Sequence, residues 1–464
     1  MSPLSGCLIA GTRSGCGKTS VALGLMAALA RRGLAVAPFK SGPDFIDPGL
    51  HALATGRPSH NLDTWMLPEQ ALRGIFAREA AGADLALVEG AMGLFDGRSP
   101  VDGEGSAADL AKLLGLPVLL VVEASSLSRS LAALVQGFTR FDPQLAFAGI
   151  VLNRVGSEAH AQSLAASLAA FAPEIPLLGC LPRLDEAALP SRHLGLVTAQ
   201  DAPAPLTRID LLAEACERYL DLDGLLSRLP RLDLAAPADP APTPACARLG
   251  LARDAAFCFV YEENLRLLRA AGAEIVEFSP LAEKRLPPDL DGLYLPGGYP
   301  ELSAFRLSQN TGLRKDVLAF ARSGKPVLAE CGGLLYLAER LAVEGQRFSM
   351  CGVFPFAAIM NRKRAALGYR EITTTRPTLL GPAGTTLRGH EFHYSSLDPA
   401  PQDAETAFRV TGARGPLPDE GFVRDAALAT YMHLHLASCP DAAAAFVVAC
   451  AASRAPVAGR PACG

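Results

Sequence analysis

Two stretches of this chain combine residue types and spacings that can do chemistry. The first is Gly11-Thr12-Arg13-Ser14-Gly15-Cys16-Gly17-Lys18-Thr19, which lies between a short apolar run and a helix-periodic one. In that context it reads as a phosphate-binding loop. Gly11, Gly15 and Gly17 let backbone N–H groups, with those of Thr12 and its neighbours, turn around phosphate oxygens. The helix that follows adds the positive end of its dipole. Lys18 would neutralise the outer phosphates of ATP, and the Thr19 hydroxyl would ligate Mg²⁺. The second stretch is Val327-Leu328-Ala329-Glu330-Cys331-Gly332-Gly333-Leu334, a strand, a sharp turn and a helix. Such an elbow projects Cys331 from the top of a sheet as a nucleophile, and a helix N-terminus is expected to lower its pKa. Gly297 and Gly298, in Leu295-Pro296-Gly297-Gly298-Tyr299, end another strand. Their N–H groups, with that of Gly332, would form an oxyanion hole. His433, in Tyr431-Met432-His433-Leu434-His435, is the expected base, with His435 as its orienter or a bystander.

Acidic residues gather at two further strand ends. Asp44 and Asp47 lie in Gly42-Pro43-Asp44-Phe45-Ile46-Asp47-Pro48, and Asp96 follows Glu89 in Glu89-Gly90-Ala91-Met92-Gly93-Leu94-Phe95-Asp96. Open α/β sheets bind ligands at the carboxyl ends of their strands. Asp47 and Glu89 are therefore the expected Mg²⁺ carboxylates, with Asp44 and Asp96 beside the reacting phosphate. The alternative is that such Asp residues only cap turns. Asn153 ends a strand and could pair with adenine N6 and N7. Arg362-Lys363-Arg364, with Arg370 nearby, is a basic group that could hold a polycarboxylate substrate. Gly389-His390-Glu391-Phe392-His393-Tyr394 lacks the spacing of a helical zinc motif and reads as a polar strand lining a site.

These residues need elements to hold them. Short apolar runs at 6–10, 34–39, 85–88, 118–122 and 148–152 suit parallel strands buried on both faces. A helix is expected over 20–32, stopped by Gly33. Residues 229–246 carry Pro230, Pro237, Pro240, Pro242 and Pro244 and read as a linker. A second βα array then begins, with runs at 249–252, 274–278, 292–295 and 327–329. The fold class is therefore α/β throughout: a P-loop-type doubly wound parallel sheet over 1–228, and a second α/β domain over 247–464.

Composition removes other classes. The chain has 464 residues, 50% of them hydrophobic and 19% charged, which is enough apolar surface for folded cores. The formal net charge of −4 leaves no basic footprint for nucleic acid. Charges and glycines interrupt every apolar run short of the roughly 20 residues a membrane helix needs. The 11 Cys contain no C-x-x-C pair, so reduced thiols and a cytoplasmic location are expected. Leu4-Ser5-Gly6-Cys7 mimics a lipoprotein cleavage box without the preceding basic and apolar regions.

The phosphate loop, with five rather than four residues between Gly11 and Gly17, resembles that of dethiobiotin synthetase and its relatives. Paired with a Cys–His elbow domain, it makes the whole chain resemble the cobyrinate (or hydrogenobyrinate) a,c-diamide synthase family. The matching segments are Gly11–Thr19, Gly42–Gly49, Asn61–Trp65, Glu89–Gly97, Pro190–Leu196, Ala252–Ala256, Leu295–Leu302, Ala329–Leu337, Gly389–Ser395 and Tyr431–His435. The resemblance implies a first domain that binds MgATP and a corrin and phosphorylates its a and c acetates in turn. It implies a second domain of the class I glutamine amidotransferase type, with Cys331 as nucleophile and His433 as base, supplying ammonia to the acyl phosphate. The usual third acid, two residues after the base, is His435 here, as is typical of the family. Ala329 replaces a Gly two before the nucleophile, and Glu123 stands where many relatives carry Asp. Nickel-sirohydrochlorin a,c-diamide synthase carries the same motifs and stays open as an alternative. A regulatory P-loop ATPase, with Arg13 acting across a dimer and an idle second domain, is the reading from another class. A homodimer is an option left open.

Overall fold

The computed structural model describes residues 4–187, 205–234, 243–399 and 405–453 and divides into two compact units, 1–238 and 239–464. The first unit runs β1 (Ser5–Gly11), α1 (Lys18–Arg31), β2 (Val36–Ser41), α2 (Asp47–Thr55), β3 (His60–Leu62), α3 (Glu69–Ala80), β4 (Leu85–Glu89) and α4 (Ala107–Leu114). It continues with β5 (Val118–Glu123), α5 (Ser130–Phe141), β6 (Phe147–Val155), α6 (Glu158–Phe171), β7 (Leu177–Pro182), α7 (Pro205–Tyr219) and α8 (Leu222–Arg228). All seven strands are parallel, in the order β3-β2-β4-β1-β5-β6-β7.

The local reasons are ordinary. β1, β4 and β5 are buried on both faces, as continuous apolar runs require. The first helix ends where Gly33 adopts φ 86° and Leu34 N–H closes back onto Leu29 O at 3.2 Å. That closure is why the second strand begins at Val36 and not at Leu34. Ser106 and Ser157 cap α4 and α6 by accepting the N–H groups of Asp109 and His160. β1 lies between β4 and β5, so the loop after β1 opens at a switch point of the sheet.

The second unit starts with β8 (Ala247–Ala252), α9 (Glu262–Ala270), β9 (Ala273–Phe278), β10 (Gly292–Leu295), α10 (Ala304–Gln309), α11 (Thr311–Arg322), β11 (Val327–Glu330) and α12 (Gly332–Leu337). Nine strands follow: β12 (Ala338–Val343), β13 (Gln346–Ser349), β14 (Phe354–Met360), β15 (Ala366–Thr374), β16 (Thr386–His393), β17 (Ser395–Asp398), β18 (Thr406–Gly412), β19 (Gly415–Arg424) and β20 (Ala427–Thr430). β21 (Met432–Leu434) and α13 (Pro440–Ala452) complete it. The large sheet has the order β21-β16-β15-β18-β19-β20-β11-β10-β8-β9, and a smaller one the order β13-β12-β14-β17.

Only part of this unit is the expected βα array. β8, β9, β10, β11 and β20 are parallel, but β15, β16, β18, β19 and β21 extend the sheet with antiparallel pairings. Among the described residues no α-helix interrupts 338–435. Tight turns make this economical in chain: Glu344 and Gly345 both take positive φ between β12 and β13, the geometry of a two-residue hairpin. The Pro-rich stretch at 229–246 is described only at its ends. Leu229 is buried and Leu232 N–H bonds to Leu4 O at 2.8 Å, so its start packs on the first unit. Residues 235–242 lie outside the described residues, as does the Pro190–Leu196 segment. Among the described residues nine cysteines are free and Cys246 is disulfide-bonded, which corrects the expectation of wholly reduced thiols.

Candidate active sites

In the first unit, steric limits explain the loop glycines. A Cβ on Gly11 would lie 2.2 Å from Cys16 Sγ, and one on Gly17 would lie 2.0 Å from Asn153 Nδ2. Gly17 also holds φ 92° as the N-cap of α1, and Gly15 holds φ 77°. Lys18 and Thr19 therefore open the helix directly beside the loop. Thr19 Oγ1 donates to Glu89 Oε1 at 2.6 Å. Glu89 is buried, and its other oxygen is 2.7 Å from His51 Nε2, whose Nδ1 lies 3.0 Å from Ser59 Oγ.

At the centre stands Lys40, the next-to-last residue of β2. Its Nζ is 2.6 Å from Asp47 Oδ2 and 3.0 Å from Glu89 Oε1. Burial opposes charge on both sides of this cluster. For Lys40 the opposing pull of Asp47, Glu89 and Asp44 wins and holds the ammonium protonated above the ordinary lysine range. For Glu89, Lys40, His51 and Thr19 outweigh burial and hold its pKa below the usual carboxylate range. Burial pulls Lys18 down, with Lys40 adding to it. Sequence reasoning missed the role of Lys40 and His51. The available signal was a lysine closing an apolar strand at the ligand-binding edge of the sheet.

The donor set fits Mg²⁺. Thr19 Oγ1, Glu89 and Asp47 are hard oxygens of the kind that ion takes, and Asp47 and Glu89 already hold a cation, the Lys40 ammonium, between them. Asp44 and Asp96 sit differently. Asp44 Oδ1 accepts the N–H groups of Ile46 and Asp47, and Asp96 Oδ2 accepts that of Gly93. Both shape their own loops in the manner of turn-capping residues. Asn153 Nδ2 donates to Cys16 O at 3.0 Å and its Oδ1 accepts Arg154 N–H, so the amide is tied to the phosphate loop. Glu123 pairs with Arg13 and with Arg154, which ties the exposed loop arginine to the end of β5 within the same chain.

In the second unit, Cys331 takes φ 43°, a left-handed conformation rare for a non-glycine residue. Its N–H bonds to Thr430 O at 2.7 Å and its Sγ donates to Phe392 O at 3.9 Å. A Cβ on Gly332 would lie 2.9 Å from Gly298 N, and one on Gly297 would lie 2.2 Å from His433 Cε1. The elbow, the Gly297–Gly298 turn and His433 thus converge on one point. The thiol does not behave as expected. Burial pushes the Cys331 pKa far up, and Glu301, Glu391 and Glu330 add to it against the lowering pull of the Gly332 N–H. The first turn of a six-residue helix is too little to reverse that. His433 is pushed down to about 3 by burial and by His390 and His393 against the opposing pull of Glu391, so its imidazole is neutral in the resting site.

Neighbouring strands complete the wall. His393 stacks on Tyr431 with ring centroids 3.7 Å apart, its Nδ1 is 2.8 Å from Ser395 O, and its Nε2 is 2.9 Å from Glu391 Oε1. Arg370 Nε donates to Glu391 Oε2 at 2.6 Å, which removes it from the basic group in which the sequence placed it. Arg362, Lys363 and Arg364 are exposed on the turn between β14 and β15. That turn is fastened to the same wall by Asn361 N–H to Tyr394 O and Ala365 N–H to His393 O. His435 is buried, and its ring stacks on Tyr261 at 4.5 Å.

Comparison with known proteins decides the family. Residues 7–197 match the family described as CobQ/CobB/MinD/ParA nucleotide binding domain, and residues 248–440 that described as CobB/CobQ-like glutamine amidotransferase domain. The cobyrinate a,c-diamide synthase of Syntrophotalea carbinolica is 47% identical over 96% of this chain and 98% of its own length. The hydrogenobyrinate a,c-diamide synthase of Agrobacterium fabrum is 43% identical over 92% of this chain and 97% of its own. The Priestia megaterium cobyrinate enzyme is 39% identical over 96% and 97%. The chain belongs to the cobyrinate a,c-diamide synthase family. Within that family's two-unit plan, the phosphate loop falls in the nucleotide-binding region and the Cys331 elbow in the amidotransferase region. No helix among the described residues is long and apolar enough to cross a membrane.

Two outcomes follow for the buried groups. Lys40→Met leaves Asp47 and Glu89 buried without their cation. It is expected to lower stability in urea unfolding by about 3–5 kcal/mol and to abolish turnover with any nitrogen source. Glu420, half-buried on β19, accepts Tyr431 N–H at 2.5 Å, and desolvation pushes its pKa up to about 7. The folded state then holds a proton that the unfolded chain releases above its ordinary carboxyl pKa of 4.5, so this group's contribution is lost as pH rises from there through about 7. The Tm difference between Glu420→Gln and wild type should therefore be more favourable to the variant at pH 8 than at pH 5, read by calorimetry at both.

Proposed function

We propose that this protein uses ATP and glutamine to amidate the a and c acetate carboxylates of cobyrinic or hydrogenobyrinic acid, in cobalamin biosynthesis. The observation that carries the reading is the coexistence of two sites on one chain. One is a phosphate loop facing a buried Lys–carboxylate cluster, and the other is a cysteine elbow facing a neutral histidine. The names of the relatives supply the substrate class.

A carboxylate is a poor electrophile, so ATP must first give it a leaving group. The substrate carboxylate oxygen attacks the γ-phosphorus, the bond to the β–γ bridging oxygen breaks, and ADP leaves an acyl phosphate. Lys18 and Lys40 hold positive charge against the transferring phosphoryl oxygens. Magnesium, held by Thr19, Glu89 and Asp47, would neutralise charge on the same oxygens. Asp44 and Asp96 order the two loops that border the reacting phosphate. Arg362, Lys363 and Arg364 are the proposed grip on further carboxylates of the macrocycle.

Ammonia comes from the second unit. As the Cys331 sulfur bonds to the glutamine amide carbon, His433 takes the thiol proton. The N–H groups at Gly297, Gly298 and Gly332 receive the oxyanion. His433 then returns the proton to the departing nitrogen, leaving a thioester that water hydrolyses to glutamate. Ammonia attacks the acyl phosphate carbon, phosphate leaves, and the amide forms. A second ATP and glutamine serve the other acetate. The cytoplasm is the proposed location.

The deciding assay is mass spectrometry of products from purified protein, MgATP, glutamine and either cobyrinic acid or nickel-sirohydrochlorin. Two amidations of cobyrinic acid are expected. Product from nickel-sirohydrochlorin alone would move the enzyme to another pathway, and ATP hydrolysis with no product would favour a regulatory ATPase. Cys331→Ala should abolish glutamine-dependent turnover and keep turnover with added ammonia. Asp47→Asn or Glu89→Gln should block both, and full activity of either variant with ammonia would remove that residue from the metal site.

A further inference from the structure

The chain that carries His433 has an unusual edge. Ala427–Thr430 pairs in parallel with β11, but β11 ends at Glu330 because Cys331 turns away. Beyond Thr430 the chain becomes β21 and pairs on its other side with β16, His433 opposite His390. On the side β11 has vacated, the alternate N–H groups of β21 and the residues after it lack a strand partner. Side chains take them instead. Met432 N–H goes to Thr430 Oγ1 at 3.0 Å, Leu434 N–H to Glu330 Oε1 at 3.1 Å, and Leu436 N–H to Asn264 Oδ1 at 2.8 Å. Asn264 Nδ2 also donates to Leu434 O at 2.8 Å.

Glu330 stands out among these three. It directly precedes the nucleophile and grips the residue directly after the base. Its second oxygen receives the Tyr294 hydroxyl at 2.9 Å, and both side chains are buried. We infer that Glu330 is a positioning residue for the glutaminase step, its carboxyl replacing the missing strand neighbour of β21 and fixing where His433 stands relative to Cys331. This rests on the reading of Cys331 and His433 as the glutaminase pair. The usual third acid of such sites holds the base through its ring. Here His435 occupies that acid's place in the sequence, and Glu330 acts on the base through the backbone N–H of the next residue, Leu434. Burial pushes the Glu330 pKa up to about 8, consistent with a carboxyl used for hydrogen bonding.

The test compares Glu330→Ala, Glu330→Gln and Cys331→Ala in the full-length protein, with glutamine and with ammonium salts. Displacing a catalytic base by about 1 Å lowers turnover on the order of 100-fold. Glu330→Ala is expected to lose that much kcat with glutamine, while KM for glutamine stays within about threefold and ammonia-dependent turnover is kept. Glu330→Gln retains an oxygen for the Leu434 N–H and should recover most of kcat. If the Ala variant does not fold, Tyr294→Phe, which releases the second oxygen, should show a smaller fall in kcat with the same unchanged KM. Wild-type kcat in Glu330→Ala, a loss confined to KM, or a Gln variant as impaired as the Ala variant would each overturn the inference. Glutamine-dependent turnover in Cys331→Ala would overturn the glutaminase reading itself, whereas its loss beside an unaffected Glu330→Ala overturns only the role of Glu330.

Discussion

A left-handed backbone at Cys331 is the constraint on which the second unit depends. Holding a non-glycine residue there costs on the order of 1–3 kcal/mol, and the surroundings must over-determine it. They do so from three sides. The Cys331 N–H is fixed to Thr430 O, Gly332 packs against the Gly298 backbone, and a Cβ on Gly333 would sit 2.0 Å from Leu295 O. The elbow also ends β11 early. The strand beside it must then find other partners for its N–H groups, and Thr430, Glu330 and Asn264 supply them. One strained residue thus determines where the Cys331 side chain stands, the glycine pattern around it and the polar edge beneath His433.

The first unit solves a related problem with charge. β1 and β2 flank β4 and both run to the sheet's carboxyl edge, and each leads to a lysine: Lys18 at the start of α1 and Lys40 next to last in β2. Two cations close together in a buried place repel, and Lys18 is depressed in part for that reason. Asp47 and Glu89 make the arrangement tenable, and His51 and Thr19 fix which oxygen of Glu89 faces which group. A site for a polyanion must be positive when filled and tolerable when empty. Internal carboxylates meet both needs, since an arriving phosphate can compete for the same lysines.

The parallel core was legible because its strands are short, doubly buried apolar runs, and the observed β1, β4, β5, β8, β10 and β11 lie close to their expected limits. The antiparallel half of the second unit was not. β16, β18 and β19 alternate weakly, contain Gly, Pro and charges, and take their order from tight turns and long-range pairing. Lys18, Thr19, Cys331 and His433 could be named as candidates because their chemistry dictates residue type and local spacing. Lys40, His51, Glu330 and Asn264 act by reaching across strands. Apart from the place of Lys40 near the end of an apolar strand, nothing in their own neighbourhoods marks them.

The two sites also handle protons in opposite ways, and the chemistry explains why. Phosphoryl transfer begins and ends with charged species, so the first site keeps Lys40 and Glu89 ionised and mutually paired. Glutamine's amide is neutral, and a standing thiolate would be exposed to other electrophiles before it arrives. In the second site burial keeps both the Cys331 thiol and the His433 imidazole uncharged. On the proposed mechanism, charge would appear there only as the sulfur attacks and the proton moves to His433, with the backbone N–H groups of Gly297, Gly298 and Gly332 receiving the oxygen that becomes negative. A dry, neutral pair of this kind depends on placement more than on pre-formed charge. That is why the hydrogen bonds holding β21 against the elbow bear so directly on the reaction.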